Sequence, residues 1–225
     1  MSRQARRTPI ARSIVVTGFE PFGGDVVNPS ALVARALHGR RIEGLPVVGL
    51  ELPCAFGQSI EVLREALTRQ RPVLVLALGQ AAGRAGFSLE RVAINLDDAR
   101  IPDNAGAQPI DRPVVSNAAV ARFSSLPVKA MVAALRAAGH PAELSNSAGT
   151  FVCNHLFYGL QHLLRARRSV RGGFMHLPLL PEQAAVRGNA VPNLPLATMV
   201  EGTALALATA LHTQHDLAAS EGSLD

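Results

Sequence analysis

The sequence predicts an α/β fold built on a mostly parallel, twisted sheet within one domain. Short apolar segments bounded by Gly or Pro alternate with longer segments whose apolar residues recur at helical spacing, which is typical of βα units. The chain has 225 residues, 48% of them hydrophobic, so one domain can bury a sizeable core. We expect that domain over 13–215, preceded by a disordered basic tail at 1–12 and followed by a flexible terminus at 216–225.

Five apolar segments predict strands that are covered on both faces, because they carry little polar alternation. They are Ser13–Thr17, Val47–Leu52, Val73–Leu78, Ala142–Ser145 and Gly173–Leu177. The segment from Phe87 to Pro102 departs from this order, since its residues alternate with period two, and it predicts one or two extra strands. The Pro-, Gly- and Asn-rich stretch after Ile101 predicts a long ordered turn or surface loop.

Five amphipathic segments between these strands predict helices. They are Ser30–Leu37, Gln58–Gln70, Val128–Ala138, Val152–Arg165 and Pro195–His212. Gly139 is a typical stop after the third helix, and Thr150 is a candidate N-cap for the fourth. The order of strands and helices favours a single sheet with helices packed against it.

Charge and cysteine content exclude several classes of protein. The net charge is +5, but the Arg residues cluster in the N-terminal tail and near one predicted helix end, and no nucleic-acid-binding motif is present. No segment approaches the ~20 apolar residues that span a bilayer. Two cysteines cannot form a disulfide framework, which favours a reducing cytoplasm. We therefore expect no nucleic-acid or membrane partner.

Cys153 is the candidate nucleophile because it lies in the first turn of a predicted helix, directly after Ser147-Ala148-Gly149-Thr150. A helix N-terminus carries about half a positive charge, and such positions lower the pKa of a thiol from ~8.5 toward ~3.5–7.5. The free N–H groups there can also stabilise an oxyanion. The alternative is a buried structural cysteine. Cys54 has no comparable setting.

A thiol nucleophile needs a base, and His176 is the first choice because it falls at the carboxyl end of a predicted strand. His155 and His162 share the helix of Cys153 but do not face it, so capping or packing roles are favoured for them. A metal site at Cys153 and His155 lacks further ligands at a recognisable spacing. The sequence thus predicts acid–base chemistry without a metal.

The third member should be an acid or amide that orients the imidazole. The candidates are Glu90, Asp97, Asp98, Asp103 and Glu182, and spacing alone does not choose among them. Glu90 lies in a segment predicted to be buried, where a carboxylate needs a partner, and a salt bridge to Arg91 or Arg100 is the alternative role. The loop after the first strand holds Phe19 and Phe22, which suit a small apolar pocket. Its Gly pair completes no nucleotide-binding pattern.

Six segments, in order along the chain, resemble pyroglutamyl peptidase type I, also called pyrrolidone-carboxylate peptidase. They are Thr17–Ser30, Gly79–Arg84, Ser88–Asp111, Leu126–Met131, Ser145–Leu160 and Gly172–Gln183. The resemblance implies a cytosolic, cofactor-free cysteine peptidase with a three-layer α/β/α sandwich fold, assembled as a homotetramer. Its substrates would be peptides with an N-terminal pyroglutamyl residue.

Matched to this family, the nucleophile falls on Cys153, the base on His176 and the acid on Glu90. The same matching implies that Arg100 helps to stabilise the oxyanion, that Phe19, Phe22, Phe151 and Val152 line the lactam pocket, and that Gln80 lies near it. Two other functions are compatible with such a sheet: a phosphorylase-like transferase in which Cys153 is structural, and a module that binds pyroglutamyl peptides without turnover.

Overall fold

Three strands of nearly uninterrupted apolar sequence form the centre of the sheet. In the computed structural model, which describes residues 12–188 and 191–221, they are β1 (Ile14–Phe19), β4 (Leu74–Gln80) and β9 (Arg171–Leu177). Every residue of β1 and β4 is buried, and Arg171 is the one partly exposed residue of β9. Polar alternation is absent from these strands because helices cover both of their faces.

The main sheet places the carboxyl ends of its parallel strands at one edge. The other strands are β2 (Arg41–Ile42), β3 (Leu45–Leu52), β5 (Phe87–Glu90), β6 (Val92–Ile94), β7 (Ala121–Phe123) and β8 (Ala142–Ser145). In the described residues, seven strands pair in the order β2-β3-β1-β4-β9-β5-β8. The strands β3, β1, β4 and β9 are parallel, whereas β5 runs antiparallel to β9 and parallel to β8. The shared edge is where open α/β sheets bind their ligands.

Helices cover the two faces of this sheet and make two separate cores. They are α1 (Pro29–Leu37), α2 (Gln58–Gln70), α3 (Val128–Ala137), α4 (Val152–Leu164), α5 (Pro181–Arg187) and α6 (Leu196–His212). One core packs α1, α3 and α6 against residues such as Val16, and the other packs α2 and α4 against residues such as Val15. This is the predicted single-domain α/β/α sandwich. None of the helices in the described ranges is long and apolar enough to cross a membrane.

All five predicted strands and all five predicted helices are present, with bounds that differ by at most two residues at either end. Three short elements escaped prediction: β2, β7 and α5. The first two have two and three residues, too few to show a periodic pattern. In α5, which has seven residues, the Gln183 side chain accepts a hydrogen bond from the Leu180 N–H at 3.0 Å and so fixes the helix start.

The segment from Phe87 to Pro102 forms the two extra strands that its pattern predicts, but they belong to different sheets. β5 enters the main sheet, whereas β6 pairs with β7 in a two-stranded sheet. The chain diverges at Arg91, whose N–H donates to Ser145 and whose carbonyl accepts from Ser124. The following segment is an ordered loop, as predicted: the Asp103 carboxylate accepts three backbone N–H groups, at 2.7 to 2.9 Å.

The ends of the chain lie only partly within the described residues. The predicted tail at 1–12 lies outside them except for Arg12, and so do residues 222–225 of the predicted flexible terminus. Between these limits, the Asp216 carboxylate accepts the backbone N–H groups of Lys129 and Ala130 at 3.1 and 2.9 Å. A carboxylate is favourable there because it satisfies free donors at the start of α3.

Candidate active site

The floor of the site is formed by Gly79 near the end of β4 and its register partner His176 on β9. A Cβ atom at Gly79 would lie 2.9 Å from Sγ of Cys153 and 2.8 Å from the ring of Phe174, closer than packed atoms approach. The thiol therefore rests directly against the backbone of β4. Glycine is required here because any side chain would occupy the space of the thiol.

His176 is joined to Glu90 through the pairing of β9 with β5. Ser88 pairs with His176 and Glu90 with Phe174, so Glu90 and His176 are diagonal neighbours on one face of the sheet. Nδ1 of His176 lies 2.8 Å from Oε1 of Glu90, and both side chains are buried. An ionised carboxylate only accepts, so this geometry assigns the proton to Nδ1 and leaves Nε2 as the basic nitrogen.

The other acids considered as orienting residues lie elsewhere. Asp97 pairs with His155, Asp103 binds backbone N–H groups of its own loop and of Phe56, and Asp98 and Glu182 are exposed. Among the sequence candidates, Glu90 is the one that the fold brings to His176. The alternative role for Glu90, a salt bridge with Arg91 or Arg100, is not observed. The arginine near Glu90 is Arg84, with a guanidinium nitrogen 3.6 Å from Oε1.

Cys153 is carried to the site by the first turn of α4. Gly149, with φ of 76°, turns the chain, and Phe151 is the residue that caps the helix. The prediction of Thr150 as N-cap is wrong because its hydroxyl donates instead to the carbonyl of Asp98 at 2.7 Å. The cap makes no side-chain hydrogen bond, so the first N–H groups of α4 stay available to a ligand beside the thiol.

The prediction of a lowered thiol pKa at Cys153 is not met. Burial raises the pKa of Cys153, and Cys54 (once ionised) and the carboxylate of Glu90 act in the same direction. Desolvation disfavours the thiolate more strongly than the helix N-terminus favours it. Burial thus favours the protonated thiol, which needs a base to become a nucleophile. Burial likewise raises the pKa of Cys54 to about 12, with Glu20 and Asp103 contributing.

His155 has a structural role, as the sequence favoured. Its Nδ1 lies 2.8 Å from Oδ2 of Asp97, and its Nε2 accepts the N–H of Gly57 at 2.8 Å. Both ring nitrogens are occupied, so His155 connects α4 to the start of α2 and to the loop after β6. His162 lies further along α4, where burial and the nearby charge of Arg122 lower its pKa.

The aromatic residues implied as pocket walls lie at two depths. Phe22 is packed against Phe151 with ring centroids 6.0 Å apart, and both are partly exposed. Phe19 lies below them, 1% exposed, against Phe174. Phe56, which sequence reasoning missed, contacts Phe151 edge-to-face at 5.4 Å. The sequence does contain a signal for Phe56. It follows β3 as Phe22 follows β1, so both residues lie at the same edge of the sheet.

The other residues implied for the site, Gln80, Val152 and Arg100, differ in their surroundings. The Gln80 carboxamide donates to Asp25 at 2.7 Å and accepts from Gln183 at 3.1 Å, so both of its ends are already engaged. Val152 is fully buried at the start of α4. Arg100 is exposed in the loop after β6 and is not brought into contact with the Glu90–His176 pair.

The loops around the site are fastened to one another. Asn104 donates to Glu20 and to the Pro21 carbonyl, both at 2.8 Å, and its N–H donates to the carbonyl of Cys54 at 3.1 Å. One residue thus joins the loops that follow β1, β3 and β6, and holds the aromatic walls at a fixed spacing. Across the described ranges, no group of three or more His, Cys, Asp or Glu side chains is arranged to hold a metal ion.

Comparison with known proteins gives a consistent result. A family model described as pyroglutamyl peptidase matches residues 12–213. The pyrrolidone-carboxylate peptidase of Erwinia tasmaniensis is 52% identical over 212 residues, covering 94% of this chain and 99% of that protein. The one from Streptomyces coelicolor is 53% identical over 213 residues, covering 93% and 98%.

Solved structures agree with these relatives. The crystal structure of pyroglutamyl peptidase I from Bacillus amyloliquefaciens superposes with a TM-score of 0.90 at 39% identity, covering 93% of this chain and 100% of that one. A variant of the pyrrolidone carboxyl peptidase from the hyperthermophile Pyrococcus furiosus superposes with a TM-score of 0.86 at 38% identity, covering 89% and 98%.

Proposed function

This chain belongs to the pyroglutamyl peptidase family and is a pyroglutamyl peptidase, and we propose that it uses Cys153, His176 and Glu90 as nucleophile, base and orienting acid. One observation carries the assignment of these residues: a thiol, an imidazole and a buried carboxylate converge over the carboxyl ends of β4 and β9. Its substrates are peptides whose first residue is pyroglutamate.

The reaction begins with a protonated thiol. Nε2 of His176 takes the proton of Cys153 while Sγ attacks the carbonyl carbon that links pyroglutamate to the next residue. The C–N bond then breaks, His176 returns the proton to the leaving amine, and a thioester remains on Cys153. Water, deprotonated by His176, attacks the thioester and releases pyroglutamate together with the free thiol. Glu90 holds the imidazole in the Nδ1–H tautomer throughout.

The transition state carries an oxyanion that needs donors. The first N–H groups of α4 are free and lie beside the thiol, which suits them to this role. Arg100, assigned to the oxyanion by the family resemblance, would have to turn inward from its exposed position when substrate binds.

Recognition of the substrate depends on the ring. The lactam has no charged amine, so an apolar site walled by Phe22 and Phe151 accepts it, whereas an ordinary N-terminus would bring an unpaired charge into that site. Phe19 and Val152 belong to the buried core against which Phe22 and Phe151 pack. Gln80 lies near the ring, with its side chain held by Asp25 and Gln183.

The test is hydrolysis of a pyroglutamyl-linked chromogenic amide by the wild type, Cys153→Ser and Cys54→Ser under reducing conditions. We expect full activity in the wild type and in Cys54→Ser, and none in Cys153→Ser. Activity in Cys153→Ser would remove that thiol from the mechanism. Inactivity of a folded wild type would refute the proposed function itself.

The resemblance also supports a homotetramer in the cytoplasm, built from one domain over 13–215. Both cysteines are free, which fits a reducing compartment. Light scattering of the purified protein should give four times the mass of the chain, and fractionation of the native cells should recover the activity with cytoplasmic markers.

A further inference from the structure

Arg84 lies beside the Glu90–His176 pair, although the mechanism above gives it no role. It is in the connection between β4 and β5, and its side chain is 29% exposed. One guanidinium nitrogen is 3.6 Å from Oε1 of Glu90, the same oxygen that accepts from His176. Arg84 therefore places a fixed positive charge next to the acid of the proposed triad.

The position of Arg84 is set by contacts beyond Glu90. Its guanidinium donates to Glu143 at 2.9 Å, and to the hydroxyl of Ser145 and the carbonyl of Ser147 at 3.2 Å each. Glu143 is itself held by the hydroxyl of Ser88 at 2.6 Å. These contacts fix the guanidinium from β8 and from the loop leading to α4, and Ser88 of β5 holds Glu143 in place, so the distance from Arg84 to Glu90 is defined by the fold.

Glu90 needs such a charge because it is fully buried. Its Oε2 has no hydrogen-bond partner among the described residues, and a buried carboxylate beside a neutral imidazole is strongly disfavoured unless a cation compensates it. The titratable and charged groups that face Glu90 are His176 from β9, Cys153 from α4 and Arg84 from the β4–β5 connection, with Glu143 of β8 behind Arg84. Arg84 is the one cation of this set when His176 is neutral.

We propose that Arg84 is a positioning residue that keeps Glu90 ionised while His176 is neutral, and so maintains the tautomer of His176 that can take the thiol proton. The proposal rests on the proposed roles of Cys153, His176 and Glu90. Without Arg84, the pair gains a proton at a higher pH, whether that proton resides on the carboxylate or on the imidazole. In the first case Nδ1 loses its acceptor, and in the second Nε2 is no longer basic.

The direction in which the pH profile shifts distinguishes this positioning role from a purely structural role of Arg84. Removing the Arg84 charge should move the acidic limb of the kcat/KM profile to higher pH by about one unit, the usual size for an opposite charge at this range. Activity of Arg84→Met should fall about tenfold on that limb and recover to within about threefold of wild type near pH 9. Glu143→Gln removes a negative charge from the same cluster, so its acidic limb should move to lower pH.

The experiment compares pH profiles of the wild type, Arg84→Met, Arg84→Lys and Glu143→Gln. Arg84→Lys keeps the charge and should restore the acidic limb toward the wild-type position. The control is Arg35→Met, which removes a cation that pairs with the exposed Glu51 on the far side of the sheet, and it should leave the profile unchanged. If Arg84→Met does not fold, Arg84→Lys and Glu143→Gln still decide the question by the direction of their shifts.

A second measurement does not depend on peptidase activity. The imidazole ¹⁵N signals of His176, assigned with a His176→Gln variant, should show proton uptake at higher pH in Arg84→Met than in the wild type. Equal uptake in both proteins, or a loss of activity that is the same at every pH, would overturn the proposal. A wild type without peptidase activity would instead refute the proposed function, and the ¹⁵N titration would still decide the role of Arg84.

Discussion

Gly79→Ala tests whether the contact between the thiol and the floor of the site matters for catalysis. The added Cβ would lie 2.9 Å from Sγ of Cys153, whereas ordinary contacts begin at 3.4 Å, so the thiol must move by about 0.5 Å. A nucleophile displaced on this scale should lose about 10- to 100-fold in kcat/KM. The extra methyl group should also cost about 1–3 kcal/mol of unfolding free energy, because the core around Phe174 is already packed.

The matched control is Gly172→Ala at the opposite end of β9. There a Cβ would lie 2.8 Å from Leu164 and 3.2 Å from Leu160, which gives similar crowding far from the thiol. Both variants should lose similar stability in urea unfolding, but only Gly79→Ala should lose activity in a steady-state assay with a pyroglutamyl amide. Equal activity in the two variants would show that the position of the thiol over β4 is not what the reaction requires.

Glu90→Gln should lower kcat/KM by about 100-fold or more, since an amide can hold the wrong imidazole tautomer and cannot stabilise the imidazolium; a loss below about threefold in the steady-state assay would contradict this. Because burial raises the pKa of Cys153, its alkylation by iodoacetamide, followed by peptide mass spectrometry, should accelerate steadily from about pH 6 to about pH 9. A plateau on the acidic side of that range would instead indicate a preformed thiolate. Burial, with the charge of Arg122, lowers the pKa of His162 from 6.5 in the folded protein, so the unfolded chain binds more protons below that value and stability should decline as the pH falls. Urea unfolding of His162→Gln should show a weaker decline, and an unchanged pH dependence would refute this assignment.

Most strands and helices of the fold were predictable because each has a recognisable apolar pattern in its own stretch of sequence. β1 and β4 are continuous apolar runs, and α2 shows the period of a helix along its whole length. The elements that escaped prediction, such as β7 and α5, are too short to show a period and are fixed by hydrogen bonds to residues distant in sequence or by a cap.

The site was predictable only in part, because its geometry is non-local. Cys153 and His176 could be found from their places at a helix start and a strand end. Glu90 could not be chosen from spacing, since it meets His176 across 86 residues through the insertion of β5 beside β9. The family resemblance supplied that choice. The role of Arg84 does not follow from the sequence either, because its contacts with Glu90 and Glu143 depend on the same insertion.

The thiol pKa shows where a local rule was insufficient. A helix N-terminus predicts a lowered pKa for Cys153, but the thiol is packed between α4 and the backbone of β4, and burial has the larger effect. Thr150 does not cap α4 for a related reason: its hydroxyl donates to the carbonyl of Asp98, in the loop that follows β6. In both cases, a tertiary contact outweighed the local preference.

The central claim is that Cys153 is acylated by pyroglutamate, and mass spectrometry of the acid-quenched enzyme tests it directly. A pyroglutamyl ester that acylates faster than the thioester hydrolyses should leave one pyroglutamoyl group on the peptide that contains Cys153, and none on the peptide that contains Cys54. The adduct should disappear with hydroxylamine, as a thioester does. Turnover of the ester with no adduct on Cys153, or with the adduct on Cys54, would contradict the account.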